Sequence, residues 1–341
     1  MLASHLWILA ETANPLQGLA KGLFAEGFAG VSFFFMLSGY ILSHSYGGRL
    51  RDGTISRREY WVLRVARIGP LHWLTGLPFA LGAGAAVSAV NLAMLQSWVP
   101  GEHWYFSLNE PSWSLSDELF FYTCFAFLAF WPVRQVAGLA AALLGLAVGV
   151  AGWRTAQGLG SIHAGDAMTL THWLTYINPL TRLLDFTVGM LVYRLPRPMP
   201  GRGAASALEL AALAALLGAL ALFPALGMAE AWRMQLAYLA PIALLIWSFG
   251  LGRGALSQAL ANAGWLVLLG DASFALYLVH LPVIHGFLAL DDARDTPWPV
   301  LPLAGAMTLS AVALSVLVFK AIETPLLRGS RRAIRRAFAD G

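Results

Sequence analysis

Charge is scarce in this chain. Only 12% of its 341 residues are Asp, Glu, Lys or Arg, about half the share of an average soluble domain. With a mean hydropathy of +0.65, it is not built to be solvated on all sides. Cysteine is nearly absent: Cys124 stands alone, which excludes an intrachain disulfide and a thiolate metal site. No HExxH, GxSxG or Cys/His metal spacing occurs, so no metal ligand set is expected. Alternating apolar and polar residues are missing too, which excludes a membrane β-barrel. There is no internal repeat, no low-complexity stretch and no loop long enough for a soluble catalytic module. One domain over residues 1–341 is therefore expected. Met1–Ala10 lacks a basic start and a small-residue cleavage site, so it does not read as a cleavable signal.

Long apolar runs are abundant. Runs of about 20 residues recur along the chain, and 58% of all residues are hydrophobic. The expected fold class is an all-α polytopic membrane protein, a helical bundle of about ten transmembrane helices. The predicted spans are 23–46, 71–90, 112–132, 135–153, 176–193, 205–223, 232–250, 265–288 and 300–321, with 1–10 as a first, half-length fragment. The net charge of +4 and pI near 9.4 do not point to nucleic acid, because the basic residues sit in short loops between apolar runs. Sixteen arginines, from Arg49 to Arg336, fall in one alternate set of loops. The other set holds only Lys21, Arg154, Arg233 and Arg294. The bias assigns the first set to the cytoplasm, with both termini inside and 91–111 outside. The basic tail, 328–341, is expected to lie on the anionic cytoplasmic leaflet.

With such short loops, any chemistry has to lie among the helices. SWSLSDELFFY, residues 112–122, carries Asp117 and Glu118 at the start of an apolar run. A carboxylate there either caps the helix or faces a wet cavity. Helical spacing puts Glu118 and Tyr122 on one side, with Trp113 and Ser114 a turn earlier, as a candidate polar pocket. His5 is either a satisfied structural group or a general base, and a carboxylate to orient it would complete the latter. Arg64 and Arg67 share a helix face. They are either topology signals or a bidentate phosphate site. Arg182 and Asp185 read best as a self-neutralising pair joining helices. His280 either lines the cavity or bonds across helices.

GFAGVSFFFMLSGYIL, YWVLRVARIGPLHWL, NEPSWSLSDELFFY, NPLTRLLDFTVGM, LGDASFALYLVHLPV and IETPL occur in that order. Together they resemble the acyltransferase-3 family of integral membrane O-acyltransferases, from His5 to about Pro325. The resemblance implies an acyl-CoA donor, with acetyl the expected group, and a hydroxyl of a carbohydrate or glycolipid as acceptor, in the bacterial inner membrane. It implies His5 and Glu118 as the catalytic pair, with Glu118 orienting the imidazole, and Arg64 and Arg67 as the CoA-binding pair. Trp113, Ser114, Tyr122 and His280 would contact substrate. Two departures stand out. Asp117 sits where the family usually has an apolar residue. The family's first helix also carries an arginine about ten residues before the histidine, so a truncated first helix is expected here. A transporter or flippase for acyl groups or lipid-linked saccharides is the alternative, and a structural membrane protein is a third reading. Release of free CoA would separate an enzyme from either.

Overall fold

The computed structural model describes residues 2–165 and 167–339. Met1 of the first fragment and the last two residues of the basic tail lie outside the described residues. The chain is about 80% helical. Among the described residues its strands are the two-residue pair His163–Ala164 and Ala167–Met168. The longer helices are α1 (Ala29–Arg51), α2 (Arg57–Gly76), α3 (Trp113–Leu128), α4 (Val133–Ala156), α5 (Pro179–Arg194), α6 (Arg202–Ala225), α7 (Leu239–Gly250), α8 (Ser273–Asp292), α9 (Val300–Val318) and α10 (Thr324–Ala339).

Among the described residues, five helical stretches are long and apolar enough to cross a membrane. They are Gln17–Arg51, Val133–Ala156, Arg202–Ala225, Ser273–Asp292 and Val300–Phe338. A sixth arises if Leu236–Gly250 and Ala255–Asn262, bent by 69°, count as one span. The expected span at 71–90 is broken. α2 ends at Gly76, and short turns follow up to Gly84, whose φ of +81° a side chain would resist. The basic stretch 47–67 is mostly helix, not loop. α1 runs to Arg51, and Ser56 opens α2 by accepting from the Glu59 amide at 3.0 Å, in a capping-box spacing. Arg64 and Arg67 therefore ride on a rigid helix. The basic tail is also a helix, α10, packed along α2.

α1 and α5 form the central crossing. A Cβ on Gly39 would land on the Phe186 carbonyl, and one on Gly189 on the Met36 carbonyl. The two backbones approach as closely as small residues permit. Phe35, Phe121 and Phe186, all fully buried, tie α1, α3 and α5 together, with Phe121 5.0 Å from Phe35 and 5.2 Å from Phe186. The 91–111 segment folds back over this core. The Asn109 side chain donates to the Leu278 carbonyl at 2.9 Å, and the Gln96 side chain to the Ser112 carbonyl at 2.9 Å. These bonds hold the start of α3 beside α8, and the site is built there.

Candidate active site

Two adjoining cavities lie among α1, α2, α3 and α8. The first, about 160 Å³, is lined by Ser38, Arg64, Arg67, Glu118 and Tyr122. Helical periodicity brings Glu118 and Tyr122 together, four residues apart on α3, and the phenol donates to Glu118 Oε1 at 2.5 Å. Ser38 donates to the same oxygen from α1 at 3.4 Å. Glu118 Oε2 is buried without a hydrogen-bond partner among the described residues. Arg64 donates to the Tyr46 hydroxyl at 2.7 Å and lies over the Tyr46 ring. Arg67 pairs with Glu323 and lies over Phe274, 4.9 Å from its centroid. Two guanidinium groups three residues apart thus face one small cavity that also contains a carboxylate and a phenol.

The second cavity, about 290 Å³, is lined by Ser114, Tyr277, His280 and apolar side chains of α1 and α8. Ser114 and Tyr277 share a hydrogen bond of 2.7 Å. His280 is buried, and its Nδ1 meets the Leu276 carbonyl at 3.1 Å. A carbonyl only accepts, so Nδ1 carries the proton and Nε2 keeps its lone pair. That Nε2 has no partner among the described residues. The His5 ring lies 5.0 Å from the His280 ring, centroid to centroid. Phe34, Leu37, Ser273 and Phe274 line both cavities and form the wall between them.

Glu118 and His5 are not brought together. Glu118 is held by Tyr122 and Ser38 and faces the arginines, whereas the histidine's ring partner is His280. The reason is packing at the start of the chain. Leu2–His5 and Ile8–Glu11 are short turns, not a span. Leu6 and Leu9 bury against Leu281 and Ile284 of α8 and Leu303 and Met307 of α9. His5 is thereby delivered to α8, and Glu118 lies one turn beyond Ser114, about 6 Å further along α3. Trp113 lines neither cavity. It is buried against Tyr176 and Phe35, 4.9 and 6.2 Å away between centroids, because one residue of offset from Ser114 turns it about 100° around the helix. Asp117 is fully buried in the protein and lines neither cavity.

Arg182 and Asp185 form the expected internal pair, 3.4 Å apart at zero exposure. Glu323 is the site residue that sequence reasoning missed. It stood in the IETPL segment, and an acid at the end of an apolar span is itself a signal. Its partner, Arg67, lies 256 residues away. Glu26 with Arg233 and Tyr238 forms a second unforeseen cluster, just before the start of α1.

No solved structure matches the chain. Among curated proteins, it is 30% identical over 350 residues to acyltransferase MdmB of Streptomyces mycarofaciens, covering 91% of this chain and 84% of that one. It is 29% identical over 327 residues to the exopolysaccharide production protein ExoZ of Rhizobium meliloti, covering 90% and 92%. The family described as an acyltransferase domain matches residues 1–320. With the helical fold, that match makes the chain a membrane-bound acyl-transferring enzyme of the acyltransferase-3 family.

Proposed function

We propose that this enzyme moves an acyl group, acetyl in the first instance, from acyl-CoA to a hydroxyl of a carbohydrate or glycolipid. The single observation that carries the reading is the pair of adjoining cavities, one lined by Arg64 and Arg67 and the other by His280, whose ring lies 5.0 Å from that of His5. Arg64 and Arg67 bind the CoA diphosphate by charge-assisted hydrogen bonds. Glu118, oriented by Tyr122, accepts from an amide N–H of the pantetheine arm through its free oxygen. Ser114 and Tyr277 position the acceptor hydroxyl. The His5–His280 pair takes its proton, the oxygen attacks the thioester carbon and the C–S bond breaks. The CoA thiolate then leaves with the proton returned by the imidazolium. His280 and Phe274 are six residues apart on α8, about 9 Å of rise. The acyl group therefore passes the wall of Phe34, Leu37 and Phe274, either directly or after a stop on an imidazole.

The basic bias of the loops supports an orientation in the inner membrane with both termini cytoplasmic and the arginine cavity opening towards cytoplasmic acyl-CoA. The exopolysaccharide role in the name of ExoZ supports a carbohydrate acceptor.

The test uses purified enzyme and acetyl-CoA labelled in the acetyl group, with free CoA and labelled carbohydrate as readouts. His5→Ala and His280→Ala should each lower turnover by about 100-fold or more. The double variant should be no worse than the worse single one, as for groups acting as a unit. Glu118→Gln should combine with His5→Ala multiplicatively, because the two residues do not touch. Near-full activity in both histidine variants would sink the mechanism, and absence of CoA release by the intact enzyme would sink the function.

A further inference from the structure

Glu323 lies just past residue 320, where the family match ends. A π-helical turn, Phe319–Glu323, joins α9 to α10 and turns the carboxylate towards α2. There Oε1 takes Arg67, whose side chain is 27% exposed against 3% for Glu323. Glu323 Oε2 is buried with no hydrogen-bond partner among the described residues. Arg64 spends its donors differently. Its partner is the neutral Tyr46 hydroxyl. The charges around the cavity therefore balance: Arg64 and Arg67 against Glu118 and Glu323.

That balance has a consequence for an incoming diphosphate. A cation pair free of carboxylates would attract it strongly, whereas here one guanidinium is already engaged. We propose that Glu323 is a built-in competitor for the donor's phosphate. It holds Arg67 in position while the cavity is empty and gives it up when the diphosphate arrives. The same carboxylate speeds release of the CoA product by reclaiming Arg67. This inference rests on the assignment of Arg64 and Arg67 to the donor. It makes Glu323 a positioning residue whose removal strengthens ligand binding, the opposite of what loss of a merely structural contact would do.

The experiment is titration of the purified full-length chain with CoA, and separately with inorganic pyrophosphate, alongside thermal melts. Glu323→Gln keeps an oxygen to accept from Arg67 but removes the charge. It should bind CoA about fivefold more tightly, with slower CoA dissociation. Glu323→Asp keeps the charge on a shorter arm and should tighten binding by about twofold. It carries the test if the glutamine variant does not fold. Arg67→Ala should bind more weakly by about tenfold or more. Adding Glu323→Gln to Arg67→Ala should change nothing further, because the competition needs the arginine. Pyrophosphate should follow the same order, since the contested contact is with phosphate. Unchanged or weaker CoA binding in both Glu323 variants, with Arg67→Ala weakened, would overturn the inference and leave the donor assignment standing. Unchanged binding in Arg67→Ala would overturn both.

Discussion

The chain contains two arrangements that look alike in sequence. Each is a pair of ionisable residues three apart within an apolar stretch: Arg182 with Asp185 on α5, and Arg64 with Arg67 on α2. On α5 the two opposite charges face each other at zero exposure. Arg182 also reaches Ser32 at 3.0 Å and lies over the rings of Phe35 and Tyr176. Gln235 donates to the same Asp185 oxygen, Oδ2, at 2.9 Å. On α2 the two like charges diverge to separate partners, and both border a cavity. The first arrangement neutralises itself and borders neither cavity. The second keeps its cations beside open space, held by groups that a ligand can displace. Spacing alone does not separate the two arrangements; access to a cavity does.

The contrast makes opposite demands on mutants. The largest effect is expected at Arg182. Arg182→Ala leaves Asp185 buried and uncompensated and should cost about 3–5 kcal/mol of stability, read as a large fall in the melting temperature of the purified protein. Arg182→Met with Asp185→Leu should recover most of the loss, because an apolar pair of similar volume needs no desolvation of charge. Failure to recover would mean that the pair also has a functional role.

A smaller effect is expected at Arg67, and it should appear in binding rather than folding. Loss of one charge-assisted phosphate contact is worth about 1.5–3 kcal/mol, a fall in CoA affinity that titration would detect. The melting temperature should fall less than that of Arg182→Ala, because Arg67 is itself 27% exposed where Arg182 is fully buried, although the change also leaves the buried Glu323 without its partner. Arg67→Lys should restore only part of the affinity, since an ammonium lacks the planar fork. A collapse of the melting temperature in Arg67→Ala would erase the distinction between the two regions.

The smallest effect is expected at the Glu118 carboxylate. Tyr122→Phe removes one donor to Oε1 and should lower stability by about 1 kcal/mol, while turnover falls severalfold because Glu118 is less well oriented. Activity and melts measured on one preparation would show whether the phenol serves the site or only the packing.

Contacts within a helix turn were legible from sequence. The Glu118–Tyr122 bond follows from a spacing of four, and the placing of Arg64 and Arg67 on one face follows from a spacing of three. Ser114 and His280 were singled out separately, and they do line one cavity. Trp113 was misplaced because a turn of α3 has several faces, and the sequence around it is apolar on all of them. The pairing of His5 with Glu118 was expected from chemistry alone, and chemistry names compatible partners without saying where packing delivers them. His5 reaches His280 because Leu6 and Leu9 have an apolar seat on α8 and α9.

The sequence by itself determined the membrane class, the helical content, the family and the residue types available for acyl transfer. The family rests on the resemblance of six ordered motifs; the others depend on composition, or on spacing shorter than two helical turns, where the backbone's own period dictates who meets whom. The tertiary structure alone decided that His280, with the His5 ring beside it, and the arginines face separate cavities. It also decided that Glu323 closes on Arg67 across 256 residues, and that α1 and α5 touch at Gly39 and Gly189. Those outcomes depend on which apolar faces find each other in three dimensions, and a uniformly apolar chain has many faces of nearly equal hydrophobicity to choose from.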